Sequence, residues 1–462
     1  ISFLGKSISK RKNQVKKTSK QTKKELGNLK RAMKIRIIRR PMKIVFVLEC
    51  ANQLNNGTTA TCNRFADELR KKGHEVTILG CQFEDGKPHP NYIGTPHYAF
   101  PVFESLIRKE GFMFARCDVK TMYQAIQGAD LVHVFLPMKF GKTAQAIADG
   151  LGIAVTTAFH LQPQNISSAI HLGHFFFLND CLYAGFKSYL YRSVRHVHCP
   201  SSMIERELKR HHFKDNATHV ISNGVIPFFH KTGEEKPKDM QGKIVVTMSG
   251  RLASEKRQDV IIKAVAGSSY NDKIQIILCG QGPNKALYER MALKKGLANP
   301  LDIRFCKPEE LRSVLNYTDI YVHASDFEIE GISAIEAITC GALPLISDSR
   351  LSATNAFSLN DQICLFKHGS ARDLRKKIEW IIEHPETVKE LKQAYALSAP
   401  KFALSRQVQA MEEMFEAAVE EKKEGKDLPT IRPLKKDIRR ERRIFKKLKK
   451  EGLISEIPER LR

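Results

Sequence analysis

Glu328 and Glu336 stand with seven residues between them in the stretch SDFEIEGISAIEAITCGALPLISD, and Gly331 lies where a loop would become the helix begun by Ile332, Ile335 and Ile338. A helix rises about 1.5 Å per residue. A carboxylate in the loop and a second one two turns into the helix can therefore reach opposite ends of one extended polar molecule, and the N–H groups that open the helix suit a phosphate. Upstream, SGRLASEKRQD carries Gly250, Arg251 and Lys256, a turn that brings two cations over one pocket. A guanidinium fork and an ammonium together neutralise a pyrophosphate and stabilise charge as it leaves. His160, in the FHLQP that closes the apolar run IAVTTA, falls beyond the carboxyl end of a parallel strand, where such sheets bind ligands, and an ordinary imidazole there suits proton handling. Gly57, with Thr58 and Thr59, and Gly282 in CGQGP mark turns that an anion or base can approach closely. Taken singly, each of these features also has a plain reading as a surface pair, a packed histidine or a turn.

The elements that would position these residues follow from periodicity. KIVFVLE after Met42 is a near-continuous apolar run of strand length, followed by the turn-prone NQLNNGTT, the helical CNRFADELRKKGH and a second strand at 75–80. This βαβ opening predicts a parallel sheet with helices on both faces. Further strands are expected at 131–135 and 153–158, and then at 244–248, 274–278, 303–305, 320–323 and 343–346. Two doubly wound α/β halves result. The expected divisions are a basic arm at 1–41, a first domain at 42–230, a polar linker at 231–243 (KTGEEKPKDMQGK), a second domain at 244–401, a helix at 402–425 crossing back onto the first domain, and a basic amphipathic tail at 426–462.

The formal charge of +26 lies mainly at the ends: residues 1–42 carry 15 Lys/Arg against one acid, and 426–462 carry 14 against six. The chain therefore reads as a nearly neutral body with two basic extensions, which seek anionic surfaces. In the tail, Ile438, Ile444, Phe445 and Leu448 among dense Lys/Arg predict a helix that can lie on anionic lipid. The aromatic run HFFFLNDCLYAGFKSYLYRSVRHVH has helical spacing and fits either a core helix or a membrane interface. Ten cysteines without a CxxC pair or a metal-like spacing predict a reduced compartment, and no run approaches 18 apolar residues, so no spanning helix is expected.

GRLASEKRQD, GQGP, NYTDIYVHASD and EIEGISAIEAITCGALPLISDS, in this order and spacing, resemble the nucleotide-sugar half of retaining glycosyltransferases of family 4, with the GT-B fold: two Rossmann-like domains facing across a cleft. The resemblance covers about 42–421. It implies that Arg251 and Lys256 hold the donor diphosphate, that Glu336 grips the ribose hydroxyls, and that Glu328 and the backbone from Glu330 through Gly331 and Ile332 to Ser333 face the donor sugar and phosphates. It also implies that His160 lies near the reacting sugar, that Gly57 belongs to the glycine loop near the diphosphate, and that Gly250 and Gly282 line the donor site. That loop usually has two adjacent glycines, whereas this chain has Asn56-Gly57. EIEGIS, LISDSRLSATNAFSL and FHLQPQNIS are most similar to bacterial diacylglycerol glucosyltransferases. UDP-glucose as donor, a lipid acceptor, no cofactor, no essential metal, no nucleic-acid partner and a peripheral place on the cytoplasmic face of the cell membrane are the corresponding expectations. The alternatives are a transferase of surface polysaccharide or glycan synthesis and, from another class, a basic membrane- or nucleic-acid-binding protein with an inactive transferase body.

Overall fold

A computed structural model describes residues 40–53, 57–99, 104, 113–168, 173, 175–426 and 434–462. The expected arm at 1–41 therefore lies outside the described residues except for Arg40 and Pro41, and Asn56 lies outside them as well. Apolar runs of strand length become central strands because both faces of a parallel sheet are covered by helices. The first sheet contains β1 (Lys43–Val47), β2 (Glu75–Cys81), β3 (Tyr92–Thr95), β4 (Leu131–Val134), β5 (Ala154–Ala158), β6 (His196–Cys199) and β7 (Ala217–Val220). All pair in parallel, in the order β3-β2-β1-β4-β5-β6-β7.

The second sheet is parallel too, with β8 (Ile244–Ser249), β9 (Ile274–Cys279), β10 (Asp302–Arg304), β11 (Ile320–His323), β13 (Leu343–Ser347) and β15 (Leu365–Phe366) in the order β10-β9-β8-β11-β13-β15. A two-stranded pair, β12 (Phe327–Glu328) with β14 (Leu351–Ser352), stands beside it. The helices used below are α1 (Gly57–Lys71), α2 (Val119–Ile126), α3 (Lys139–Leu151), α4 (Phe176–Tyr189), α5 (Gln258–Ala266), α6 (Ile332–Thr339), α7 (Leu404–Lys423) and α8 (Lys435–Lys450). The strand order reverses at β1/β4 and at β8/β11, the places where doubly wound sheets open a crevice for ligands.

Residues 43–462 form one contact unit. After Phe402, the chain exchanges backbone hydrogen bonds with Val225, and α7 then packs on β5 and α1 of the first half. Phe415 is fully buried there, its ring 6.1 Å from Phe46 and 5.3 Å from His133, and Glu412 accepts a hydrogen bond from His74 at 3.0 Å.

The tail forms a helix, but its apolar side packs mainly on the protein instead of facing outward. Ile444, Phe445 and Leu448 are buried because α8 packs on α3, where the absent side chain of Gly150 makes room for the Phe445 ring: a Cβ at Gly150 would lie 2.1 Å from it. The aromatic run divides similarly. Tyr183, Phe186 and Tyr191 enter the core around Phe159, whereas Phe175, Phe176 and Phe177 remain 54%, 63% and 72% exposed.

Candidate donor site between the two halves

The loop after β8 is held by backbone contacts before any ligand arrives. Gly250 N–H donates to the Cys279 carbonyl at 2.9 Å, Leu252 N–H to Gln281 at 2.9 Å, and Gln258 Nε2 to the Arg251 carbonyl at 2.9 Å. The GQGP turn lies directly against this loop: a Cβ on Gly282 would come 2.4 Å from the Leu252 carbonyl oxygen. Gly282, expected to line the donor, also lets the backbone of Leu252, the neighbour of Arg251, approach closely. At Gly57 and Gly250 an added Cβ would meet nothing within 4 Å, so both turns face open space.

Lys256 lies on the short turn Ser254–Lys256, which is tied to the segment carrying Glu328. Arg257 takes a left-handed backbone and pairs with Asp259 at 3.2 Å and Asp326 at 3.1 Å. Asp326 in turn donates its N–H to Glu255 and bonds His368 Nε2 at 2.8 Å. The brace delivers Lys256 Nζ to Glu328 Oε2 at 2.5 Å, with His323 Nε2 3.6 Å from the same carboxylate. Burial alone would raise the Glu328 carboxyl, but the Lys256 ammonium and His323 outweigh it and hold the group down at about 2. Glu328 is therefore ionised at any working pH.

Gly331 makes the switch from loop to helix at φ +89°, and Thr354 packs so closely that a Cβ would lie 2.2 Å from its methyl carbon. Ile332 and Ser333 occupy the first turn of α6, whose N–H groups have no intrahelical acceptor. Glu336, in the second turn, crosses to the first half, where Arg64 Nη2 of α1 stands 3.3 Å from Oε1. Burial pushes the Glu336 carboxyl up to about 7, with Arg64 pulling it the other way. The Glu330 side chain turns away from this group: it accepts the Asn223 N–H at 2.9 and 3.2 Å, a strut to the chain that joins the two halves. Only its backbone can belong to the donor site. Further contacts between the halves run from Ser201 Oγ to the Ile329 carbonyl at 2.7 Å and from Gln162 Nε2 to that of Leu351 at 3.3 Å.

His160 follows β5 and is 5% exposed. Its ring stacks on Phe135 at 5.5 Å and meets His198 edge-on at 5.2 Å, with His133 a further 6.2 Å beyond His198. Burial holds its pKa well below the usual imidazole range, and His198 and His133 add to the effect. Against the expectation of an ordinary imidazole, burial disfavours the charged ring of His160, and among the described residues its buried Nε2 has no hydrogen-bond partner. His198 donates its Nε2–H to the Ile221 carbonyl at 2.7 Å, which makes Nε2 the protonated nitrogen.

Four residues of this cluster were not singled out by sequence reasoning. Arg64 lies inside an ordinary amphipathic helix, and its partner is 272 positions away. Asp326 and His368 carry no local spacing that joins them to Arg257. His323 is at a strand end of the kind that flagged His160, a signal that could have found it.

Two doubly wound parallel sheets, with cations and carboxylates gathered where they meet, define a GT-B transferase. Residues 55–227 match the family described as Glycosyltransferase Family 4, and residues 231–396 match Glycosyl transferases group 1. The chain belongs to the GT-B glycosyltransferases of this group 1/family 4 type. Over 159 residues, 33% of this chain, it is 30% identical to the phosphatidylinositol N-acetylglucosaminyltransferase GPI3 subunit of Saccharomyces cerevisiae; the matched region spans 35% of that protein's length. Over 313 residues it is 22% identical to the GDP-mannose-dependent alpha-mannosyltransferase of Mycolicibacterium smegmatis, covering 66% of this chain and 79% of that one. Among solved structures, Anabaena HepE in complex with UDP and glucose superposes with a TM-score of 0.63 at 16% identity, covering 81% of this chain and all of that one.

Proposed function

We propose that the protein is a retaining hexosyltransferase that moves glucose from UDP-glucose to a hydroxyl of a membrane lipid such as diacylglycerol, working peripherally on the cytoplasmic face of the cell membrane. The observation that carries this reading is the Lys256–Glu328 pair at one end of the loop–helix unit with Glu336 at the other. In this reading Arg251 and Lys256 hold the diphosphate, the first-turn N–H groups of α6 meet its oxygens, and Glu336 accepts the ribose hydroxyls. Glu328, fixed as a carboxylate, orients the sugar. The bond from the anomeric carbon to the diphosphate oxygen breaks, and the acceptor oxygen bonds the same face of that carbon. The acceptor proton passes to the departing diphosphate, so no protein nucleophile is needed. The two cations meet the developing charge, and the proposal needs no divalent ion.

A lipid acceptor is supported by the three exposed phenylalanines at the start of α4 and by the charge of the termini. No helix among the described residues is long and apolar enough to cross a membrane. The test is incubation with labelled UDP-glucose, UDP-galactose and GDP-mannose, with and without diacylglycerol vesicles and with EDTA, followed by product identification and NMR of the anomeric linkage. The expected product is an α-glucolipid formed from UDP-glucose and insensitive to EDTA. Transfer to soluble glycans alone would favour a polysaccharide enzyme, and DNA binding without transfer would overturn the enzymatic reading.

A further inference from the structure

Away from the donor residues, α8, α3, the end of α4 and the start of α2 border a half-open cavity of about 640 Å³. Its walls include Val119, Tyr189 and Ile444, with Cys117 and Thr143 between them. Its rim carries five cations: Lys139 from the first turn of α3, and Lys436, Arg439, Arg440 and Arg443 from α8. The four on α8 fall at i, i+3, i+4 and i+7, which is one face of a helix. Among the described residues, none that lines the cavity is acidic.

The acids of α8 do not cancel this charge. Asp437 is buried and lies 3.4 Å from the equally buried Lys142, and buried Glu441 pairs with Arg460 at 2.7 Å. Among the described residues, Arg440 is the rim cation that lies near a carboxylate, 3.7 Å from Asp437, and it is also steadied over the Tyr189 ring at 5.2 Å. Because α8 is docked through Ile444, Phe445 and Leu448, these cations are held in place; they are not carried on a loose tail. Five like charges around one concavity repel one another, and guanidinium groups on a rigid face bind a phosphoryl oxygen with little loss of freedom.

We infer that this cavity binds the phosphodiester head group of an anionic phospholipid. The rim takes the phosphate, while the apolar walls and a volume larger than a lone phosphate requires accept the adjoining glycerol. The inference refines the membrane reading of the proposed function, because contact with lipid is assigned to a built pocket instead of to a helix lying in the interface. It depends on a membrane-facing protein but not on the donor or the sugar.

The thiol of Cys117, half-buried in the wall and accepting the Thr143 hydroxyl at 3.6 Å, reports occupancy. Modification of Cys117 in the full chain by N-ethylmaleimide, followed by mass spectrometry without any donor present, should be slowed about fivefold by phosphatidylglycerol vesicles. Phosphatidylcholine vesicles and inorganic phosphate should leave the rate unchanged. The double variant Arg439→Glu/Arg443→Glu should lose the protection, whereas Lys446→Glu/Lys450→Glu, with the same charge change on the same helix, should keep it. Protection by inorganic phosphate alone, equal behaviour of the two double variants, or no protection by phosphatidylglycerol would each overturn the inference. Sugar transfer to detergent-dispersed acceptor should be unchanged in Arg439→Glu/Arg443→Glu, so a failed pocket and a failed enzyme assignment give different results.

Discussion

The two halves share one topology and bring opposite chemistry to their meeting place. The second half presents charge: Lys256 against an ionised Glu328, and Glu336 two turns into α6. Apart from Arg64, the first half brings uncharged groups, with His160 buried among Phe135, His198 and His133. In a doubly wound fold the strands are interchangeable and the loops at their carboxyl ends carry function. The contrast therefore lies in those loops: one half gathers paired charges, and the other a buried aromatic cluster.

The charged half should be the easier to break. On the proposed reading, Lys256→Ala removes a cation from the diphosphate and takes from Glu328 its ammonium partner, and Glu336→Ala removes the ribose contact. By analogy with the removal of one preorganised electrostatic group, Lys256→Ala should lower kcat by about 10²–10³. Single-turnover transfer, with circular dichroism as the check on folding, measures it. Activity within a few-fold of wild type in either variant would remove the site assignment.

Much of the fold could be read directly because central parallel strands are continuous apolar runs. Among the elements that escaped, β3 and β15 are edge strands, the first only partly buried and the second two residues long, and β12 and β14 are two-residue strands, so none shows a clear hydrophobic pattern. The charged site was legible for a similar reason, since Arg251 and Lys256 share one loop and Glu328 and Glu336 one loop–helix unit. What spacing along the chain cannot convey is contact between distant segments. Arg64 reaches Glu336 across the two halves, Gly282 makes room for the backbone of Leu252, and the apolar side of α8 meets α3 where lipid was expected. The aromatic run had one periodicity but two destinations, because only its later turns face the core.

A second effect, smaller than deletion, sharpens the comparison through pH. Without donor, the Glu336 carboxyl is pushed up to about 7 by burial, against the pull of Arg64. Below that value it is mostly protonated, while gripping ribose hydroxyls favours the carboxylate. Donor binding must then release a proton, and affinity should fall towards about tenfold per pH unit as pH drops below 7. Above 7 it should be flat. Isothermal titration with UDP from pH 5.5 to 8.5 measures the slope, and Glu336→Gln should abolish it. A slope that survives in Glu336→Gln would move the proton to another group.

The smallest expected change belongs to the first half. His160 has its pKa held well below the imidazole range by burial first and by His198 and His133 second, so lowering the pH from 8 to 6 does not charge it. A general base at this position would have to titrate within that window, and its loss would erase a limb of the pH–rate profile. A ring that shapes the sugar pocket would instead leave the profile intact and lower the rate. His160→Asn should accordingly reduce kcat by about tenfold or less, within the span of a positional defect, while the profile keeps its shape and the limb set by Glu336. Disappearance of a limb in His160→Asn would mean that bound donor raises the histidine into the working range, and the first half would then take part in proton transfer after all.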